Sequence, residues 1–148
     1  MPHIRFHTGA VSPIQMTAEI PRMKQSVLYI AATMTSLWGV AHLFATKGVV
    51  AGFGALTADN RRILTMGWIV EGVALISIAL FVAIATVVQP GSAVSSAVYA
   101  VAIGTLLVLS VVSLFTGFKV AFLPFRLCPV IFGVSAALIA WGAWLYNT

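Results

Sequence analysis

Four long, almost uncharged apolar segments dominate the sequence. Each is long enough to cross a hydrocarbon core of about 30 Å, which takes about 20 helical residues. Because lipid cannot satisfy backbone amides, each segment is expected to form a helix, and unbroken apolar runs do not suit a β-barrel. We predict an all-α integral membrane bundle of four transmembrane helices. Its predicted parts are a polar N-terminal segment at residues 1–24 and a transmembrane domain at 25–148, with helices at about 25–46, 62–88, 93–116 and 126–146.

The scarcity of charge excludes an ordinary soluble domain. Only 7% of the residues are charged and 61% are hydrophobic, whereas about a quarter of the residues in a soluble domain are charged. The net charge of +5 comes from basic residues beside the apolar segments, where they contact lipid head groups. Membrane lipids are therefore expected partners, and nucleic acid is not.

Basic residues also indicate an orientation. The N-terminal segment carries three, Arg5, Arg22 and Lys24, while the second connection and the C-terminal tail carry none. The first and third connections carry five, which favours the cytoplasm for both connections and the outside for both termini. Without an apolar segment near its start, the chain is expected to use its first helix as an uncleaved insertion signal. The five are Lys47, Arg61, Arg62, Lys119 and Arg126.

Two ionisable residues inside the apolar segments are the main functional candidates, because such residues are costly in a membrane. His42 lies about 6 Å inside the end of helix one, and Glu71 lies about 13 Å inside the start of helix two, both from the same membrane face. Trp38 shares a helical face with His42, and Trp68 shares one with Glu71. Arg126 opens helix four on the same side. The candidate ligand-binding residues are His42, Glu71, Trp38, Trp68 and Arg126.

Other polar and small residues complete this half of the bundle. Cys128 follows Arg126, and a hydroxyl stripe near the end of helix three is formed by Ser110, Ser113 and Thr116. Purely structural roles stay open: Glu71 protonated or paired with Arg126 or Lys47, the tryptophans as interfacial residues and Cys128 as a packing residue. The other half has Tyr99 as its main polar group. A small-residue ridge there predicts a helix-packing seam, at Ser96, Ala100 and Gly104.

Several chemistries lack the residues they need. The single cysteine, Cys128, can form neither an intramolecular disulfide nor a C-x-x-C pair. A bis-histidine haem needs a second transmembrane histidine, but His3 and His7 lie in the polar segment, and a His/Met pair that uses Met34 or Met66 stays open without specific support. A zinc site needs three or four convergent ligands, and only His42, Glu71 and Cys128 are on offer. We therefore predict no catalytic residues and no metal site.

Two stretches in helices one and two carry a family resemblance: Trp38-Gly39-Val40-Ala41-His42-Leu43-Phe44-Ala45-Thr46-Lys47-Gly48 and Gly67-Trp68-Ile69-Val70-Glu71-Gly72-Val73-Ala74-Leu75. In these stretches the chain resembles the DoxX-like group of small four-helix bacterial membrane proteins. The resemblance implies a multi-pass protein of the bacterial inner membrane that is associated with quinone-linked or redox-protective complexes. No catalytic motif transfers from it.

Three functions follow as hypotheses. The leading one is an accessory or structural subunit that packs against other membrane protein subunits, because so short a chain has little room for an enclosed substrate path. The alternative is a bundle that binds a quinone or another lipid, with oxidoreductase activity, in which His42 and Glu71 exchange protons with the ligand head. A small proton-coupled transporter is the third.

Overall fold

The bundle consists of four α-helices joined by short connections. The computed structural model describes the backbone of residues 13–120 and 122–147 and the side chains of residues 24–120 and 122–146. All four helices are long and apolar enough to cross a membrane. The predicted all-α fold of four membrane-spanning helices is thereby confirmed. The helices are α1 (Pro13–Gly52), α2 (Ala58–Val88), α3 (Ala93–Phe115) and α4 (Leu123–Asn147), with a 3₁₀ turn at Gly117–Lys119.

The helix ends differ from the predicted ones where polar residues continue a helix. Helix α1 starts at Pro13 instead of residue 25, so about 16 Å of helix precedes Lys24. It also runs past Lys47 to Gly52, because a lysine can stay helical while its ammonium reaches the head groups. The first twelve residues of the predicted polar segment, which include His3 and His7, lie outside the described residues.

Side-chain caps fix the starts of α2 and α3. The Thr57 hydroxyl accepts a hydrogen bond from the Asn60 amide at 3.3 Å, so α2 begins four residues before the predicted position. Ser92 caps α3 in the same way, accepting from the Ser95 amide at 3.1 Å. Helix α4 begins three residues earlier than predicted, which puts Pro129 beyond its first turn.

Two glycines bring α1 and α2 into close contact. A Cβ atom added to Gly72 would lie 2.8 Å from the Gly39 carbonyl oxygen, and one added to Gly39 would lie 2.7 Å from the Gly72 carbonyl oxygen. Such an approach is available only to glycine, and small residues at membrane helix interfaces allow it. The crossing is next to both ionisable residues, since Gly72 follows Glu71 and Gly39 precedes His42 by one turn.

Helices α1 and α4 pack as an antiparallel pair with a heptad register. Leu28 fits against Gly142, where a Cβ atom would lie 2.7 Å from Leu28 Cγ. A second contact joins His42 and Cys128. His42 lies fourteen residues after Leu28 on α1, and Cys128 lies fourteen residues before Gly142 on α4. Sequence repeats of seven residues keep one seam facing a partner helix. This register places Cys128 at the depth of His42.

The predicted packing seam on α3 is wrong for this bundle. Ala100 and Gly104 are exposed, and a Cβ atom added to Gly104 would meet nothing within 4 Å. Tyr99 explains the rotation of α3, because its buried hydroxyl lies 3.0 Å from the Thr86 hydroxyl on α2 and a buried hydroxyl needs such a partner. The core-facing side of α3 therefore carries Ser95, Tyr99, Ala102 and Leu106.

Candidate functional site

His42 lies at the centre of the candidate site, with only 2% of its surface exposed. Its Nδ1 atom is 2.9 Å from the Trp38 carbonyl oxygen one turn earlier. A carbonyl oxygen can only accept, so Nδ1 must carry the hydrogen and donate it. Backbone geometry thereby fixes the ring orientation and directs Nε2 away from α1.

The Nε2 atom of His42 faces a carboxyl group and a thiol. Glu71 Oε1 lies 3.7 Å away, and Cys128 Sγ lies 3.9 Å away. With Nδ1 protonated, a neutral imidazole and an ionised carboxylate would present only lone pairs to each other. The two groups attract only when one of them holds a proton, as imidazolium with carboxylate or as imidazole with carboxylic acid.

Aromatic rings enclose the histidine on two sides. The Trp68 ring stacks on it with a centroid distance of 4.8 Å and an interplanar angle of 27°, and Trp38 meets it edge-on at 5.6 Å. The Phe125 ring packs edge-on against Trp68 at 5.2 Å. The indole N–H of Trp38 is buried near the Cys128 thiol, and no acceptor among the described residues meets full hydrogen-bond geometry with it.

A cavity of about 420 Å³ lies between α2 and α3 beside this pair. These two helices pack least closely of the sequential neighbours, which leaves room for the cavity between them. One wall carries His42, Glu71 and Trp68, and the opposite wall carries Ser113 and Thr116. The Thr116 hydroxyl donates to the Val112 carbonyl oxygen at 2.7 Å, which leaves its oxygen available as an acceptor. The rest of the lining is Gly67, Val70, Ala74, Leu109, Val112, Gly117, Phe125 and Cys128.

Pro129 weakens the first part of α4 where that helix meets the cavity. A proline has no amide hydrogen, so the Phe125 carbonyl oxygen lacks its usual donor four residues later. That oxygen lies against Gly117, where an added Cβ atom would be 3.3 Å from it. One turn deeper, the Ser110 hydroxyl donates to the Pro129 carbonyl oxygen at 2.7 Å, which ties α3 to α4.

The structure brings together four of the five predicted ligand-binding residues. His42, Glu71 and Trp68 line the cavity, and Trp38 packs behind His42. Arg126 does not join them: it is exposed, and its Nε donates to the Val120 carbonyl oxygen at 3.1 Å. Glu71 pairs with His42 and not with Arg126 or Lys47, the partners considered from the sequence.

The position of Glu71 distinguishes this cluster from a nucleophilic triad. In such a triad the acid orients the histidine through Nδ1 and the nucleophile contacts Nε2. Here Nδ1 is held by a backbone carbonyl, and both the carboxyl and the thiol face Nε2. Within the part of the chain that the structure describes, no three His, Cys, Asp or Glu residues form a group that could hold a metal ion. The arrangement suits proton exchange and hydrogen bonding to a ligand.

Three residues important to the site were not predicted from the sequence. Gly39 and Gly72 set the separation of α1 and α2, and Phe125 borders the cavity. The sequence could have indicated the two glycines, because each lies within one helical turn of the ionisable residue on its own helix. No signal marked Phe125, which was assigned to a connection and lies in α4.

Comparison with known proteins gives no match: no family model fits the chain, and no curated protein or solved structure matches it. The DoxX-like resemblance of helices one and two therefore stays a prediction.

Proposed function

We propose that the chain binds a lipid-soluble ligand with a ring-shaped, hydrogen-bonding head, of the quinone class, in the cavity between α2 and α3. The observation that carries this proposal is the His42–Glu71 pair: an imidazole and a carboxyl group 3.7 Å apart, between which a proton could be held, line the cavity between α2 and α3. A ligand carbonyl can accept that proton, and a ligand hydroxyl can supply one.

The cavity has the size and lining that such a ligand needs. Its volume of about 420 Å³ falls within the roughly 300–1,000 Å³ of typical small-molecule sites. Ser113 and Thr116 line the cavity from α3, while His42 and Glu71 line it from α1 and α2, so polar groups are available to both ends of a flat ring. Trp68 supplies an aromatic edge, and the opening between α2 and α3 gives an apolar tail access to the membrane.

Ligand binding is testable by titrating the detergent-solubilised protein with a short-chain benzoquinone and following tryptophan fluorescence. A quinone in the cavity lies beside Trp68, so we expect saturable quenching with one site per chain. Trp68→Phe should remove most of the saturable signal while Glu71→Gln should weaken binding. Trp144→Phe is the matched control, because Trp144 is exposed on α4 and does not line the cavity.

Mass spectrometry of lipophilic molecules that co-purify in mild detergent gives an independent result. The wild-type protein should retain a quinone-class lipid, and His42→Ala and Glu71→Gln should lose it while remaining folded and monodisperse. Linear, unsaturable quenching together with the absence of any retained ring-bearing lipid would exclude the proposal.

An accessory subunit of a bacterial inner-membrane complex is the second candidate function. The exposed side of α3 favours it, because Ala100 and Gly104 present small residues to the membrane on the least buried of the four spans and such residues let another helix approach closely. Ala100→Leu should then reduce recovery of co-purifying membrane proteins and leave quinone binding unchanged. An unchanged set of co-purifying proteins would argue against this role.

A further inference from the structure

We infer that Phe125 closes a second opening of the site, and that this opening lets water and protons reach the His42–Glu71 pair from the membrane surface. The inference rests on the proposed function, since a proton-exchanging ligand needs a source of protons. Lipid cannot supply them, because it contains no water at that depth. The cavity between α2 and α3 provides the ligand with its route, so protons need another.

A second cavity lies on the other side of Phe125. It has a volume of about 290 Å³ and lies between the end of α1 and the connection that precedes α4. Phe125 is the residue that borders both this outer cavity and the ligand cavity. Its ring is therefore the partition between them. The other residues that line the outer cavity are Gly48, Val49, Gly52, Phe53, Val120 and Phe122.

The outer cavity lies where the chain reaches the aqueous surface. Lys47 and Lys119 are exposed and adjoin its lining residues Gly48 and Val120. Lysine side chains at helix ends extend to the head-group region and into water. The outer cavity thus opens toward water, whereas the ligand cavity opens toward lipid, and only the partition keeps the two solvents apart.

The partition is attached in a way that allows movement. The Phe125 ring makes edge contacts with Trp68 at 5.2 Å and with Phe122 at 6.0 Å, which hold it by packing alone. Its backbone carbonyl oxygen has no helical hydrogen-bond donor, because Pro129 lacks an amide hydrogen. A helix bends where its hydrogen-bond ladder is broken in this way. A phenyl ring makes no side-chain hydrogen bond, so displacing it breaks none, and the displacement joins the two cavities.

Cys128 provides a built-in reporter for this route. It is the single cysteine of the chain, lines the ligand cavity and lies 3.9 Å from His42 Nε2. An anionic, membrane-impermeant methanethiosulfonate can reach it only through water, and Lys47 and Lys119 favour the approach of an anion. A lipophilic maleimide reaches it through the opening between α2 and α3. The two reagents therefore report on the two routes separately.

In liposomes, we expect the anionic reagent to label wild-type Cys128 slowly. Phe125→Ala should raise that rate roughly tenfold or more. Loss of a packed aromatic ring lowers the free-energy cost of opening, and a decrease of about 1.4 kcal/mol corresponds to a tenfold faster reaction. The lipophilic maleimide should label both proteins at similar rates. Phe81→Ala is the matched control, because Phe81 is exposed and borders neither cavity of the site, and it should leave both rates unchanged.

A cysteine at Gly48 tests the outer cavity without disturbing Phe125. A Cβ atom there meets nothing within 4 Å, so Gly48→Cys in a Cys128→Ala background should fold and react readily with the anionic reagent. No reaction at that position, an unchanged Cys128 rate in Phe125→Ala, or equal acceleration by both reagents would each overturn the inference. Quinone titration of the same proteins separates the two proposals, because labelling of quinone-free protein reports on the two routes to Cys128 whether or not the cavity can bind a quinone.

Discussion

The protonation of His42 is the residue-scale feature on which the site depends most. Because the Trp38 carbonyl oxygen holds Nδ1–H, we predict that nitrogen-15 NMR of the protein in lipid shows His42 protonated at Nδ1. Glu71→Gln should leave the neutral Nδ1–H form, since a glutamine amide can donate to Nε2. Detection of the neutral Nε2–H tautomer in the wild type would contradict this assignment.

Two buried hydroxyls are expected to respond in opposite ways to removal. Ser135 is fully buried and has no hydrogen-bond partner among the described residues, so Ser135→Ala should leave the free energy of unfolding unchanged or raise it by about 1 kcal/mol. Thr86→Val removes the partner of the buried Tyr99 hydroxyl and should lower that free energy by about 0.5–2 kcal/mol. Unfolding by SDS in mixed micelles measures both changes, and a destabilised Ser135→Ala would show that its hydroxyl is bonded.

At the scale of elements, the crossing of α1 and α2 sets the distance between the ionisable groups. Gly72→Ala places a methyl group 2.8 Å from the Gly39 carbonyl oxygen and 3.2 Å from His42 Cβ. The helices must separate, so we predict a loss of about 1–3 kcal/mol in the free energy of unfolding together with weaker quinone binding. SDS unfolding and the fluorescence titration measure these two effects.

Gly104→Ala is the matched control for that substitution. Gly104 also lies within a helix, but a Cβ atom there meets open space. Alanine is the better helix former by about 0.5–1 kcal/mol, so this variant should be as stable as the wild type or slightly more stable, with binding unchanged. If both glycine variants behaved alike, the close approach of α1 and α2 would not determine the site.

The elements also explain which features could be predicted from sequence. Apolar segment lengths predicted four helices, because helix length in lipid is set by membrane thickness and backbone satisfaction. His42 and Glu71 were identified by the cost of burying an ionisable group, and helical rise placed both in the same half of the bundle. The rotation of α3 and the place of Arg126 were not predictable, since they depend on tertiary partners: the Thr86 hydroxyl for Tyr99 and the Val120 carbonyl oxygen for Arg126.

At the scale of the whole molecule, the two ends of the bundle differ in their ionisable groups, their cavities and their packing. One end holds the His42–Glu71 pair, both cavities and the proline-weakened start of α4. At the other end, Leu28 packs tightly against Gly142, the Tyr99 hydroxyl meets Thr86 and the Lys24 ammonium lies 5.6 Å from the Tyr146 ring centroid. The Tyr99 hydroxyl and the Lys24 ammonium make structural contacts at that end, so the candidate ligand site lies at the opposite end of the bundle.

Under the proposed function, the orientation of the bundle decides which compartment supplies the protons. Four spans put the start of α1, the end of α4 and the second connection on one face, and the first and third connections on the other, with five basic residues in or near those two connections. The positive-inside rule predicts the cytoplasm for that basic face, so we expect the opening behind Phe125 to face the cytoplasm. Gly52→Cys and Gly91→Cys in a Cys128→Ala background make a matched pair, since neither glycine is closely packed. An impermeant maleimide should label Gly91→Cys in intact cells and Gly52→Cys only in inverted vesicles, and the opposite pattern would assign the protons to the outer compartment.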